Sequence, residues 1–264
     1  MGERIHKLLA AAGLGSRRKV EAWIEEGRIT VDGSPAKLGQ LIEGTENILF
    51  DGQPVRIQAS PKVRLIAYHK PIGELCTRDD PEGRPTVFEA LPRIRNARWI
   101  SIGRLDVNTV GLLLFTTDGE LANRLMHPSS EVLREYAVRV LGSPTDEDLA
   151  SLREGVTLED GKARFDFVEF TGGEARNKWY RVGLREGRKR EVRRLWEALG
   201  YTVSRLIRTA YGPVQLERGL RPGRFRDLTD EESSALFEAA GLRKPERKGA
   251  RRPQKGRSRR RGRS

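Results

Sequence analysis

The chain has 264 residues, of which 37% are apolar and 33% are charged, a composition typical of a globular protein with a solvated surface. Its longest apolar run, at residues 110–115, is too short to span a bilayer. A single cysteine, Cys76, excludes an internal disulfide and favours a reducing cytoplasm. The three histidines lie far apart in the sequence and have no neighbouring cysteines, so no metal site is expected.

The net charge of +13 is concentrated at one end of the chain. Residues 243–264 contain twelve Lys or Arg and one Glu, which gives this segment +11 and leaves +2 for the other 242 residues. Because the segment has no large apolar residues, we predict a disordered tail. A polyanion such as nucleic acid is its natural partner, although a solubilising role is the alternative.

A small module is predicted over residues 1–58, followed by a linker at 59–63. Its first helix, at residues 5–12, ends at a pair of glycines, and Ser16 is a suitable N-cap for a second helix. That second helix has an apolar face opposite a basic one. A strand at 29–31 and the dipeptide Asp32-Gly33 then predict a β-hairpin.

This module resembles the S4 RNA-binding domain. The resemblance is carried by residues 4–10, by Gly15-Ser16-Arg17-Arg18-Lys19 and by residues 27–33. It implies that Arg17, Arg18 and Lys19 lie against RNA phosphates. The residues alone fit an ordinary solvated helix face equally well.

The main domain is predicted over residues 64–242. Hydrophobic alternation and capping signals give the following strands and helices in chain order. The strands are at 64–69, 112–115, 136–141, 164–170 (with Phe165, Phe167 and Val168 inward), 179–184, 203–209 and 213–216. Helices follow Thr117 (to Met126) and Thr145, and two more are at 188–199 and 229–239. Strands outnumber helices without a strict βαβ rhythm, so we expect an α+β fold around a mixed, mainly antiparallel sheet.

The segment Gly103-Arg104-Leu105-Asp106 places an acidic residue in a glycine-bounded loop just before an apolar strand. Loops held on a rigid scaffold often carry reactive groups. Aspartates in such loops more often cap turns, so the residues alone make Asp106 only a candidate.

This loop resembles the catalytic loop of pseudouridine synthases, in the ribosomal branch that also carries an S4 domain. Four further motifs occur in the family's order. They are His69-Lys70-Pro71-Ile72-Gly73, Arg134-Glu135-Tyr136, the basic segment 186–194, and residues 204–213.

The resemblance implies that the enzyme flips a uridine out of folded RNA, breaks N1–C1′, turns the uracil and joins C5 to C1′. No redox change or group donor is needed, so no cofactor is expected. Asp106 would act as a nucleophile or as a base toward C2′. The sequence leaves this choice open.

The same resemblance implies roles for other residues. Tyr136 would stack on the uracil, and Arg193 would pair with the aspartate and keep it ionised. Arg104 would fill the stack that the base vacates, while Arg188 and Arg194 would touch phosphates.

Glu191 stands where many members of the family have glutamine, which favours a member that acts on large-subunit (23S) ribosomal RNA. A monomer is expected. Small-subunit (16S) RNA, or another 23S uridine, is the alternative within the family. Outside it, the alternatives are a non-catalytic S4-type ribosome-assembly factor and a metal-dependent phosphodiester hydrolase using Asp79 and Asp80.

Overall fold

The structure is a computed structural model, and it describes residues 2–57, 63–174 and 176–245. The predicted linker, apart from Val63, and the predicted basic tail beyond residue 245 lie outside the described residues. The domain boundaries at 58, 63 and 242 therefore stay predictions.

Six α-helices are formed by the described residues. They are α1 (Ile5–Ala11), α2 (Arg17–Glu25), α3 (Gly119–Met126), α4 (Asp146–Glu154), α5 (Glu191–Glu197) and α6 (Asp230–Ala239). The strands are β1 (Glu3–Arg4), β2 (Ile29–Val31), β3 (Ser34–Pro35), β4 (Leu41–Ile42), β5 (Ile48–Phe50), β6 (Gln53–Pro54), β7 (Leu65–Lys70), β8 (Ile100–Ile102), β9 (Val110–Thr116), β10 (Arg134–Leu141), β11 (Val156–Leu158), β12 (Gly161–Ala163), β13 (Phe167–Glu174), β14 (Asn177–Leu184), β15 (Thr202–Tyr211), β16 (Val214–Gln215) and β17 (Phe225–Asp227). None of these helices is long and apolar enough to cross a membrane.

The first module packs α1 and α2 against a four-stranded sheet in the order β3-β2-β5-β6. Ser16 caps α2, as predicted, by accepting a hydrogen bond from the backbone N–H of Lys19 at 3.1 Å. The predicted hairpin is also confirmed, with Asp32 at φ 49° and Gly33 at φ 82° between β2 and β3. These positive values are those of the tight turns that join twisted antiparallel strands.

The first module contacts the main domain through the segment that precedes β8. A Cβ at Gly13 would lie 2.8 Å from the carbonyl oxygen of Ala97, and Gly13 has φ +88°. Glycine therefore allows the two backbones to meet here. Next to this contact, Arg98 donates a hydrogen bond to the carbonyl of Gly15 at 2.7 Å.

The main domain is built on a nine-stranded sheet whose principal order is β13-β14-β10-β15-β9-β7-β17. Among the described strands, the only parallel pair is β15 with β9, while β16 and β8 pair antiparallel with β15 and β9 respectively. The α+β fold with a mixed, mainly antiparallel sheet is thus confirmed.

Strand β9 lies inside the sheet, between β15 and β7. It is apolar on both faces, as expected of a strand that is covered on both sides. Leu113 and Phe115 face one core, which α5 completes with Trp196. Leu112 and Leu114 face the opposite core, which α3 and α6 cover. The alternation of side chains along a strand produces this division.

Several predicted strands are longer in the structure by one or two residues at an end, and three further elements differ from their predictions. Helix α5 begins at Glu191 and not at residue 188, because Arg190 has a left-handed backbone (φ 54°) that interrupts the helix. Strand β13 begins only at Phe167, and Phe167 lies on the face opposite Val168. The N-cap of α3 is Asp118 and not Thr117, since Asp118 accepts hydrogen bonds from two amides of the first turn.

Candidate active site

The loop at residues 103–109 joins β8 to β9 and carries Asp106. The backbone N–H of Thr109 donates to the carbonyl of Asp106 at 3.0 Å, which closes a tight turn. Leu105, the residue before the aspartate, is buried in the core, and its N–H lies 3.4 Å from the Sγ of Cys76. The loop is therefore fixed on both sides of the aspartate.

A buried lysine holds the same loop from below. Lys70 is fully buried, and its Nζ donates to the carbonyls of Pro71 (2.9 Å), Thr109 (3.0 Å) and Val107 (3.4 Å). Burial lowers the pKa of Lys70, and the negative charge of Asp106 is among the effects that oppose this shift. The three carbonyls take the place of the water that this ammonium group has lost.

Arg193 holds the loop from the side of α5. It donates to the carbonyl of Asn108 at 3.1 Å and to that of Val203 at 2.8 Å. The predicted direct pairing of Arg193 with Asp106 is wrong, because the ion pairs of the described residues include none between them. Arg193 therefore acts on the aspartate through its hydrogen bond to the loop backbone and through the longer-range attraction between the two charges.

The Asp106 carboxylate itself is half-buried. Among the described residues, no side chain forms an ion pair or a hydrogen bond with it, although its neighbours are tightly bonded. A carboxylate on a rigid loop without a protein partner is free to meet a ligand.

Asp106 faces a large cleft of about 1240 Å³. The lining contains eight Lys or Arg and five Asp or Glu, so its net charge is +3. The cations are Arg84, Arg104, Arg134, Arg185, Arg188, Lys189, Arg190 and Arg208. Such a surface attracts a polyanion.

Tyr136 and Arg104 share the cleft with Asp106. Tyr136 is 9% exposed and lies on β10, and its hydroxyl has no hydrogen-bond partner in the part of the chain that the structure describes. Arg104 is exposed and is likewise without an ion pair there. The structure therefore brings these three predicted residues together.

The two other predicted arginines of the basic motif differ in their positions. Arg188 lines the cleft, although its Nε is 2.6 Å from Glu186 and its Nη atoms donate to the carbonyls of residues 160–162. Arg194 does not line the cleft, and Asp160 binds its guanidinium through two hydrogen bonds of 2.8 and 2.9 Å. The predicted phosphate contact of Arg194 is therefore not supported, because this side chain lies outside the cleft and both of its Nη atoms are bound to Asp160.

Glu191, which is 4% exposed, shapes the basic motif from inside the protein. One carboxylate oxygen accepts the backbone N–H of Arg188 at 3.0 Å and thereby fixes the turn before α5. The other oxygen, Oε1, is buried without a hydrogen bond. Burial raises the pKa of Glu191 above its ordinary value, so its ionised form destabilises the fold.

We expect Glu191→Gln to raise the thermal midpoint at pH 7.5 by about 2–4 °C, the shift that ~1 kcal/mol produces in a chain of this size. Glutamine keeps the acceptor for Arg188 and removes the buried charge. Because the folded-state pKa of Glu191 is raised, the wild type loses stability as the pH rises above the unfolded value, so the difference should vanish below about pH 4.3. Glu197→Gln, which neutralises an exposed glutamate of the same helix, is the control. A less stable glutamine variant at pH 7.5 would contradict this account.

The basic end of α2 is well placed for a polyanion. Arg17, Arg18 and Lys19 are all exposed. In the described residues none of them forms an ion pair or donates a side-chain hydrogen bond, and the Nζ of Lys19 lies 5.3 Å from the ring centroid of Trp23.

The acidic pair in the loop after β7 does not form a metal centre. Asp80 is bound by Arg84 at 2.8 Å, which lowers the pKa of that carboxyl. Within residues 2–57, 63–174 and 176–245, no three His, Cys, Asp or Glu are grouped to hold a metal ion. This donor set does not favour the hydrolase alternative.

Sequence reasoning missed three buried cations, although alternation could have found them. Lys70, Arg134 and Arg208 each share a strand face with a core residue two positions away: Tyr68, Tyr136 and Leu206 respectively. A cation at a core position of a strand indicates that backbone carbonyls surround it or that it binds a ligand.

Comparison with known protein families agrees with these features. Residues 64–198 match the RNA pseudouridylate synthase family, and residues 3–48 match the S4 domain. A solved structure described as a pseudouridylate synthase superposes with a TM-score of 0.63 at 26% identity, covering 88% of this chain and 99% of the other.

The chain also resembles curated bacterial proteins over most of its length. Ribosomal large subunit pseudouridine synthase B of Escherichia coli (strain K12) is 57% identical over 92% of this chain and 84% of its own length. The protein of the same name from Salmonella typhimurium is 59% identical over 86% of this chain and 80% of its own. This chain therefore belongs to the RNA pseudouridylate synthase family.

Proposed function

We propose that this chain isomerises a uridine to pseudouridine in large-subunit (23S) ribosomal RNA. The observation that carries the proposal is the Asp106 carboxylate. It is unpaired among the described residues and lies in a cleft with a net positive charge. Lys70 and Arg193 hold its loop. The names of the similar bacterial proteins add the large ribosomal subunit.

Asp106 acts on the ribose in this proposal. It either attacks C1′ or removes a proton from C2′ as the bond from N1 to C1′ breaks. The uracil then turns, and C5 bonds to C1′ as Asp106 leaves C1′ or returns the proton to C2′. C5 finally loses its proton and N1 gains one. This sequence is an isomerisation that consumes no redox equivalent and no group donor, so we propose that no cofactor takes part.

Tyr136 and Arg104 hold the RNA on either side of the reaction. The nearly buried ring of Tyr136 offers the flipped uracil a stacking surface. Arg104 is exposed at the start of the catalytic loop, so its planar guanidinium can stack in the gap that the base leaves.

The remaining cations divide into two groups. Arg193 is a positioning residue, since it holds the loop and does not line the cleft. Arg188, at the edge of the cleft, and the three cations of α2 are proposed to contact phosphates. Arg194 is left out because it does not line the cleft and Asp160 binds it.

The direct test is turnover on purified ribosomal RNA. Large-subunit RNA carrying tritium at C5 of uridine, taken from cells that lack this protein, should release tritium when the protein is added. Small-subunit RNA from the same cells is the control. Absence of release from both RNAs would contradict the reaction, and release from the small-subunit RNA alone would contradict the substrate.

Neutralising the α2 cations should weaken RNA binding without slowing the bound enzyme. For Arg17→Gln, Arg18→Gln and Lys19→Gln combined, we expect the slope of log K against log salt to fall by about 2–3, close to one for each lost phosphate contact. The rate at saturating enzyme should stay unchanged. Lys7→Gln is the matched control, since Lys7 is paired with Glu3 at 2.7 Å. An equal effect of Lys7→Gln would remove the α2 cations from the RNA interface.

A further inference from the structure

Arg208 is a buried cation whose hydrogen bonds are incomplete. It is 2% exposed, yet it lines the cleft that contains Asp106. Its Nε donates to the carbonyl of Leu112 at 2.7 Å, and its guanidinium lies 5.3 Å from the ring centroid of Tyr211. Neither Nη1 nor Nη2 has an acceptor among the described residues, and Nη2 is sealed from solvent. Buried charged donors without acceptors are costly and require an explanation.

The same cleft shows that the fold can satisfy a buried guanidinium. Arg134 also lines it and is 7% exposed. Its Nη1 donates to three carbonyls, those of Val132, Arg185 and Glu186. Its Nη2 donates to the hydroxyl of Tyr211 at 3.3 Å. Both Nη atoms of Arg134 therefore have acceptors, whereas neither Nη atom of Arg208 has one among the described residues.

The position of Arg208 in the sheet explains where those donors can act. Arg208 pairs with Tyr136 on one neighbouring strand and with Gly111 on the other. A Cβ at Gly111 would lie 2.3 Å from the carbonyl oxygen of Arg208, so glycine is needed for this close approach. Nη1 lies 3.9 Å from the place of a Cβ on Gly103, in the loop that carries Asp106. The guanidinium thus lies between the tyrosine and the catalytic loop.

We propose that Arg208 binds a carbonyl oxygen of the flipped uracil and stabilises the charge that develops on the base. This inference rests on the proposed isomerisation. When N1–C1′ breaks, the electron pair of that bond remains on the uracil and spreads over N1, O2 and O4. C1′ meanwhile bonds to Asp106, or C2′ loses its proton to Asp106. A preorganised cation in a water-poor site stabilises such a developing charge more than it stabilises the neutral base.

A phosphate oxygen of the same nucleotide is the other anionic group that Arg208 could bind. Arg208 is the cross-strand partner of Tyr136, so a uracil stacked on Tyr136 would lie beside Arg208. This location favours the uracil over the phosphate. Binding of the uracil and binding of the phosphate have different measurable effects. A phosphate is charged before the reaction and contributes to affinity, whereas the uracil gains charge only as the bond breaks and contributes to the rate.

The test compares Arg208→Gln with Arg134→Gln on large-subunit RNA that the wild type converts. Glutamine at 208 retains an N–H for the Leu112 carbonyl but removes the charge. We expect the single-turnover rate at saturating enzyme to fall roughly 10²- to 10³-fold, the range for loss of one oxyanion donor. The Kd for RNA should change less than about twofold, and the thermal midpoint should stay or rise. Arg134→Gln should instead lower the thermal midpoint, because it removes satisfied bonds.

Three results would overturn the proposal. The first is an unchanged rate and Kd for Arg208→Gln, and the second is a rate that falls only in proportion to the fraction of protein that is unfolded. The third is weaker RNA binding at an unchanged rate, which would indicate that Arg208 binds a phosphate. Wild-type protein without turnover would instead refute the proposed function.

A second measurement replaces the mapped target uridine by 2-thiouridine or 4-thiouridine in a synthetic RNA. Sulfur accepts hydrogen bonds less well than oxygen. One of the two thio-uridines should slow turnover by the wild type but should not slow turnover by Arg208→Gln any further. Such non-additivity is expected of two groups in direct contact. Full additivity of the substitution with both thio-uridines would count against the contact.

Discussion

Replacing Asp106 with asparagine should abolish isomerisation while leaving the fold intact. We expect the rate to fall by roughly 10⁴-fold or more, the range for loss of an essential group of a catalytic triad. Asparagine matches aspartate in shape but is neither a nucleophile nor a base. The thermal midpoint should stay constant, because no described side chain bonds to the Asp106 carboxylate. RNA affinity should be equal or slightly higher, since the variant has one anion less in the cleft that we propose binds the RNA.

The matched control for this variant is Asp79→Asn. Asp79 lines the same cleft, so the substitution removes one negative charge from the same surface without touching the catalytic loop. Equal loss of rate in both variants would reduce Asp106 to a contributor to cleft charge. Normal turnover of Asp106→Asn would remove it from the mechanism.

Replacing Lys70 with methionine should damage both stability and activity. Methionine fills a similar volume but leaves three carbonyls of the loop without this donor. Hydrogen bonds to charged groups contribute about 1.5–3 kcal/mol each and are not additive here, so we expect a loss of roughly 3–5 kcal/mol in the free energy of unfolding. The released loop should misplace Asp106, and misplacement by about 1 Å costs on the order of 10²-fold in rate.

Denaturant titration and single-turnover kinetics measure the two effects of Lys70→Met separately. Lys189→Met is the control, because Lys189 lines the cleft and is exposed. That variant should alter RNA binding without altering stability. A Lys70→Met protein as stable and as fast as the wild type would contradict the idea that this lysine holds the loop.

Much of the fold could be predicted from local signals. The apolar run at β9, the Ser16 cap and the Asp32-Gly33 turn each depend on neighbouring residues alone, and all three are confirmed. The start of α5 could not be predicted in this way. Residues 188–190 continue a helical pattern, but Arg190 has a left-handed backbone. The turn before α5 is fixed by Glu191, whose burial depends on the folded core.

The contents of the site were predictable only in part. Motif order indicated Asp106, Tyr136 and Arg104, and the structure places all three around one cleft. Ion-pair partners, in contrast, depend on which strands become neighbours. Asp160 lies 34 positions before Arg194 in the sequence but captures it in space. Arg193 reaches Asn108 across 85 positions, and no local pattern shows either contact.

The fold explains how a charged loop can stay rigid beside RNA. Two cations within the protein, Lys70 and Arg193, donate hydrogen bonds to the backbone carbonyls of residues 107–109. Asp106 is thereby held in place without a direct ion pair that a substrate would have to break. This separation of positioning from contact is the physical basis of the proposed mechanism.

The most direct test of the central claim is a map of pseudouridine in ribosomal RNA from cells that lack this protein, complemented with the wild type or with Asp106→Asn. The proposed function predicts that one uridine in large-subunit RNA loses its modification, and that only the wild type restores it. An unchanged map, or restoration by Asp106→Asn, would contradict the claim that this chain is an Asp106-dependent pseudouridine synthase of the large subunit.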